Sequence, residues 1–195
     1  MLMRPCFYNI WSSIYSQTVA NEITEVIHEE SCASILDLGC GTGSLKKYLP
    51  SLDFMGIDKN ENYIAYAKKN FQGHFIAGDI TELDRYIQGA RYNYIILCGV
   101  LHHIDSFHVL NLMTSLHAYL QPEGKIIIVD HVYTDELNLL NKILLKLDRG
   151  SFIRRKEEYQ ELFKDFTLLS YKKFNIQISA IVLWPSLTRF VLKNP

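Results

Sequence analysis

Ser34-Ile-Leu-Asp-Leu-Gly-Cys-Gly-Thr-Gly43 carries more information than any other stretch of the chain. A β-branched, leucine-rich run leads into glycines at 39, 41 and 43, and a helix is predicted to begin near Ser44. Glycine lets the backbone turn sharply and lets a ligand come within van der Waals distance of the main chain. A plain strand–helix turn needs fewer than three. Dinucleotide loops use Gly-x-Gly-x-x-Gly, with the pyrophosphate on the helix N-terminus. Here the third glycine comes one residue early, and Ser44 stands where that pattern has glycine. Asp37, two residues ahead of the first glycine, would repel a pyrophosphate but accept hydrogen bonds from an ammonium group. The ligand so described is a nucleoside with a cationic amino-acid tail. No Gly-Lys-Ser/Thr follows, which excludes a mononucleotide phosphate loop.

Outward from this loop, two kinds of segment alternate. Runs apolar on both faces predict strands at Ser34–Leu38, Phe54–Ile57, His74–Ala77, Tyr92–Cys98 and Lys125–Asp130. Helical spacing predicts helices over Ser16–Glu30, Asn60–Asn70 and Ser106–Leu120, the last stopped by Gln121-Pro-Glu-Gly124, with a shorter one at Thr81–Gln88. Five strands alternating with helices imply a doubly wound, Rossmann-like α/β sheet, mostly parallel, with helices on both faces. The last third differs: a leucine-rich helix over Thr134–Leu147, a loop at Asp148–Ser151, and a short helix at Arg155–Lys164. Two further strands, Thr167–Ile178 and Thr188–Leu192, follow without a crossover helix. They read as an antiparallel addition at the sheet edge, with Trp184-Pro185-Ser186 in the connection, for seven strands in all.

The motifs continue along the chain. Gly56-Ile57-Asp58 ends the second strand 21 positions after Asp37, and Ala77-Gly78-Asp79-Ile80 ends the third another 21 on. The fourth strand runs into Gly99-Val-Leu-His-His-Ile104, and Leu120-Gln-Pro-Glu-Gly-Lys125 precedes the fifth. Together these segments resemble, in order and spacing, the class I S-adenosylmethionine (SAM)-dependent methyltransferases, in their small-molecule form. The resemblance implies a cofactor site in which Asp37 orients the methionyl amine and the backbone of Gly39, Cys40, Gly41 and Gly43 lies beside the methionine and ribose. It also implies that Asp58, with Lys59 next to it, meets the ribose hydroxyls. Asp79 and Ile80 then hold the adenine and Cys98 closes the site at the fourth strand. Asp58 and Asp79 have a second reading as helix caps, which for Asp79 is compatible with the first. SAM is the expected cofactor and S-adenosylhomocysteine (SAH) its product.

Open α/β sheets bind ligands outside the carboxyl ends of their strands. His102 and His103 after the fourth strand and His131 after the fifth stand on that rim. A hydroxyl acceptor profits from a base near neutral pKa. His103, then His131, are the candidates, unless the imidazoles only shape the pocket. His28, His74, His108 and His117 fall on predicted helices or distal loops. The Asn/Asp-Pro-Pro-aromatic pattern of nucleic-acid and amide methylases is absent, Cys98-Gly-Val-Leu standing in its place. Twenty Lys plus Arg against 21 Asp plus Glu leave a net charge of −1, with no overall drive toward DNA, RNA or an anionic membrane.

The longest apolar stretch, Tyr94–Leu101, is far short of the ~20 residues a bilayer span needs, and the N-terminus has no signal-peptide pattern. Cysteines at 6, 32, 40 and 98 form no Cys-x-x-Cys pair, so neither a zinc site nor a disulfide framework is expected. These features predict one cytoplasmic domain over residues 1–195, a monomer or homodimer with a small-molecule methyl acceptor. Residues 1–30, with Phe7, Tyr8, Trp11 and Tyr15, read as a helical lid, and 132–165 as the acceptor side. There Arg149, Arg154, Arg155 and Lys156 either hold an anionic group on the acceptor or are a solvated basic loop. Two rival functions stay open: a SAM-binding protein without methyl transfer, and a protein methyltransferase.

Overall fold

The computed structural model of the chain describes residues 16–27, 33–49, 53–135, 151–178 and 181–195, with side chains outside 177–186. The N-terminal aromatics and the leucine-rich 136–147 segment expected as a helix lie outside them. So does Arg149.

Seven strands form one sheet: β1 (Ser34–Leu38), β2 (Asp53–Asp58), β3 (His74–Ala77), β4 (Tyr92–Cys98), β5 (Leu120–His131), β6 (Thr167–Ile178) and β7 (Ile181–Lys193). Their order is β3-β2-β1-β4-β5-β7-β6. The pairings from β3 to β5 are parallel; β7 lies antiparallel to both β5 and β6 and so alone runs against the rest. This is the expected doubly wound sheet with its antiparallel C-terminal strand.

Alternation of side chains across the pleat explains why the parallel strands are apolar throughout. Leu36, Ile95, Leu97 and Ile128 face one way, onto Val109, Leu112, Met113 and Leu116 of α3 (Ser106–Tyr119) and Tyr159 of α4 (Lys156–Leu162). Ile35, Ile96 and Ile127 face the other way, onto Val19 and Ile23 of α1 (16–24) and Ile64 and Ala67 of α2 (Glu61–Asn70). Each such aliphatic side chain, fully buried, contributes ~1.5–3 kcal/mol. Caps fix the helix starts: Asn60 Oδ1 accepts from the Asn62 and Tyr63 amides, and Asp105 Oδ1 from the His108 amide.

Several boundaries depart from expectation. The helices expected after Gly43 and Asp79 are short 3-10 segments, Ser44–Tyr48 and Ile80–Arg85. β5 begins at Leu120, and Gln121–Gly124 bulges out of the ladder, because Tyr92 pairs with Leu120 and Tyr94 already with Lys125. Pro122, without an N–H, is accommodated in that bulge. Trp184-Pro185-Ser186 is not the connection between the last strands but lies inside β7, Trp184 opposite Ile176. The register shifts flanking Ile176 absorb the proline.

Candidate active site

The carboxyl ends of β1 to β5 lie along one rim of the sheet, with the reversal of strand order between β1 and β4. At β1 the chain leaves the sheet through Gly39, Gly41 and Gly43, all with positive φ (76°, 54° and 73°). A Cβ at Gly39 would overlap Val100, and one at Gly43 would sit 2.9 Å from the Phe75 ring. The loop is tied to the neighbouring strand: Gly39 and Cys40 amides donate to Ile57 O at 2.7 and 3.1 Å. The Gly41 amide donates to Asp58 Oδ2 at 2.9 Å, while the Asn60 amide donates to Asp58 Oδ1 at 2.8 Å. Asp58 therefore braces the glycine loop against β2, and Asn60 rather than Asp58 caps α2. Each carboxylate oxygen keeps lone-pair capacity beyond one hydrogen bond.

Asp37 lies behind this loop, 3% exposed. Among the described residues its carboxylate accepts no hydrogen bond. Burial, then the Asp58 charge, push its pKa up to about 7. A pocket opens in front of it, walled by Gly39, Cys40, Ser44 and Cys98 and covered by Ser16 and Val19 of α1. Ser16 Oγ and Ser44 Oγ are 2.9 Å apart, a direct hydrogen bond between helix and loop. The Cys40 thiol is buried and its pKa pushed up by that burial, which keeps it protonated and unreactive.

Farther along, Asp79 is exposed at the tip of β3, and its Oδ1 accepts from the Thr81 amide (2.9 Å) and hydroxyl (2.7 Å). Those hydrogen bonds are the first cause that holds its pKa below the usual carboxylate value. Ile80 is buried and Lys59 exposed.

At β4 the chain turns through Gly99 into the 3-10 turn Leu101–His103. His103 is exposed; His102 and His131 are each 3% exposed. The sequence reading missed the side chain that organises this turn. Asp130, at the end of β5, accepts from the His102 amide, from His102 Nδ1 and from the His131 amide. The Tyr159 hydroxyl donates to His131 O at 3.3 Å. Arg154, weighed as a holder of acceptor anions, is instead buried: Nη1 donates to Leu101 O at 2.7 Å, Nη2 to Ile104 O at 2.5 Å and Nε to Ser106 Oγ at 3.1 Å. Its guanidinium is spent on the turn. The neighbouring Phe152 amide donates to His102 O at 3.0 Å, a second tie between residues 151–155 and the rim. Arg155 makes a bidentate pair with Asp135 at 2.8 and 2.9 Å.

A buried carboxylate aimed into a pocket, waiting for a cation, and two further carboxylates at adjacent strand tips suit a sulfonium amino-acid nucleoside. Residues 29–173 match the family model described as a methyltransferase domain. An uncharacterised methyltransferase of Alkaliphilus oremlandii is 26% identical over 164 residues, covering 77% of this chain and 71% of that one. A malonyl-[acyl-carrier protein] O-methyltransferase of Halalkalibacterium halodurans is 31% identical over 100 residues, 47% of this chain and 36% of its own length. The crystal structure of the plantazolicin methyltransferase BpumL in complex with a pentazolic desmethylPZN analog and SAH superposes with a TM-score of 0.73 at 22% identity, over 97% of this chain and 88% of that one. The chain belongs to the class I SAM-dependent methyltransferases.

Proposed function

We propose that this enzyme transfers a methyl group from SAM to a hydroxyl of a small-molecule acceptor. The observation that carries the cofactor reading is Asp37, a buried carboxylate that accepts no hydrogen bond among the described residues and lines a pocket behind a glycine loop. It takes the ammonium of the methionyl tail. The main chain of Gly39, Cys40, Gly41 and Gly43 lies along the ligand, Asp58 accepts from the ribose hydroxyls with Lys59 beside it, and Asp79 accepts from the adenine amine. Ile80 and Cys98 supply the apolar walls. When bound, the sulfonium supplies an electrophilic methyl, and the chain's task is then to align the acceptor and take its proton. His103, exposed on the rim, is the proposed base, with His131 the alternative on β5. The relative named for O-methylation supports oxygen as the acceptor atom. A single catalytic domain, a cytoplasmic setting and a monomer or homodimer complete the reading.

Calorimetric titration tests the cofactor: SAM and SAH are expected to bind, NAD and ATP far more weakly, and a preference for NAD would sink the assignment. Labelled SAM incubated with extract fractions tests the acceptor: label is expected on a small molecule, and label on protein or nucleic acid would overturn that reading. His103→Ala is expected to lower turnover by roughly 10²–10⁴-fold with SAM affinity nearly intact. A dead His131→Ala beside an unchanged His103→Ala would move the role to β5.

A further inference from the structure

His103 does not stand alone on its turn. Behind it the His102 ring is buried, with ring centroids 4.1 Å apart and planes tilted by 48°. Behind His102 lies Asp130, fully buried. Its Oδ1 accepts His102 Nδ1–H and, at 2.7 Å, the His131 amide; its Oδ2 accepts the His102 amide at 3.2 Å. Three N–H donors thus meet this carboxylate. Burial would push the Asp130 pKa up, but His102, in contact with it, and then His131 hold it below the usual carboxylate value. With its Nδ1 proton committed to Asp130, the His102 ring is fixed in one tautomer and one orientation, as when a buried carboxylate orients an imidazole.

We propose that Asp130 and His102 are positioning residues for His103: their hydrogen bond locks the inner ring against which the outer one rests. The negative charge of Asp130 beneath the two rings then favours the protonated form of His103. The consequence is a stronger base than an isolated surface histidine, and a place for the proton removed from the acceptor oxygen before it passes to water. This extends the reading of His103 as the base and rests on it. Among the described residues, the other ionisable groups about the turn are His131 from β5, Tyr159 from α4, Arg154 from the segment before α4, and Asp105 and His108 at the start of α3.

The test is a histidine-selective NMR titration of the full chain with SAH bound, the His103 signal being assigned with His103→Gln. In the wild type, His102 is expected neutral with its proton on Nδ1 between pH 6 and 8, and a charged His102 or an Nε2–H tautomer overturns the proposal. This measurement needs no variant at Asp130, so it decides even where Asp130→Asn fails to fold. In Asp130→Asn the His103 midpoint is expected to fall by about half a pH unit or more; an unmoved midpoint overturns the proposal. His102→Asn keeps an N–H donor near the Nδ1 position and keeps the carboxylate charge, so it is expected to retain the wild-type midpoint. A fall there as large as in Asp130→Asn would place the effect in the ring contact and overturn the role of Asp130. The acid limb of the rate profile is expected to follow the His103 midpoint in each variant. A midpoint that moves under an unmoved limb upholds the pair and removes His103 as base.

Discussion

Burial and the Asp58 charge hold the Asp37 carboxyl at about 7, so near neutral pH the free enzyme is a mixture of charged and uncharged forms. An ammonium ligand selects the charged form. SAM affinity is therefore expected to weaken as pH falls, approaching tenfold per pH unit well below 7. The sign for folding is opposite. A carboxyl whose pKa is raised from 3.8 in the folded state holds its full contribution to stability at low pH and loses it as pH rises from about 4 through 7. The bound cation restores what that charge costs, so the rise in melting temperature given by SAM should grow with pH across this window. Asp37→Asn is expected to flatten both dependences, measured by titration calorimetry and thermal unfolding from pH 5.5 to 8.5. A wild-type affinity that does not change with pH would remove Asp37 from the amine site.

Helix α1 covers the pocket, and its attachment is more than an apolar face. Arg189 of β7, 7% exposed, donates from Nη1 to Glu22 O at 2.5 Å and to the Glu22 and Glu25 carboxylates at 3.2 and 2.9 Å. Lys172 of β6 adds contacts to the same two carboxylates at 2.8 and 3.1 Å. Lys172 and Glu25 are well exposed, so solvent screens their share. Arg189→Met keeps the buried stem but leaves Glu22 with only Lys172. The expected cost is about 1–2 kcal/mol, with faster amide exchange confined to 16–24. Wild-type exchange in that variant would mean that Val19, Ala20 and Ile23 hold the helix unaided.

How much of these elements can be read from sequence depends on the distance over which their cause acts. The glycine loop is readable because positive φ at 39, 41 and 43 is a local demand that names its own residue. Helices α2 and α3 announce themselves by cap and periodicity. The turn signals at Pro122 and Pro185 are genuine, but strand pairing overrides them, so they become a bulge and a register shift inside long strands. The Asp130–His102 contact spans 28 residues, and Arg154 reaches Leu101 across 53. Nothing local distinguishes an arginine that will be buried on carbonyl oxygens from one that will meet an anion. That is why sequence can nominate a rim histidine as a candidate base but cannot show the Asp130–His102 contact behind it.

Over the molecule as a whole, the rim of carboxyl strand ends carries the candidate site and the C-terminal strands close the core. Strands β1 to β5 each end at the site, and the reversal between β1 and β4 opens the crevice there. Strand β7 alone runs the other way, and it sits between β5 and β6 although it is made after both. Its Leu187, Phe190 and Leu192 are fully buried, and its backbone supplies the whole far-side ladder of β5 from Ile126 to His131. A chain ended after Ile178 is therefore expected to scatter light as aggregate rather than persist as a smaller folded enzyme, its β5 edge and apolar face lying open. Sedimentation of that truncation beside the full chain checks it. On the ribosome the same order of events means that a nucleotide pocket takes shape while its neighbouring strand still shows an unpaired hydrogen-bonding edge. Until β7 is made, the nascent chain is expected to carry that edge open to pairing with other chains.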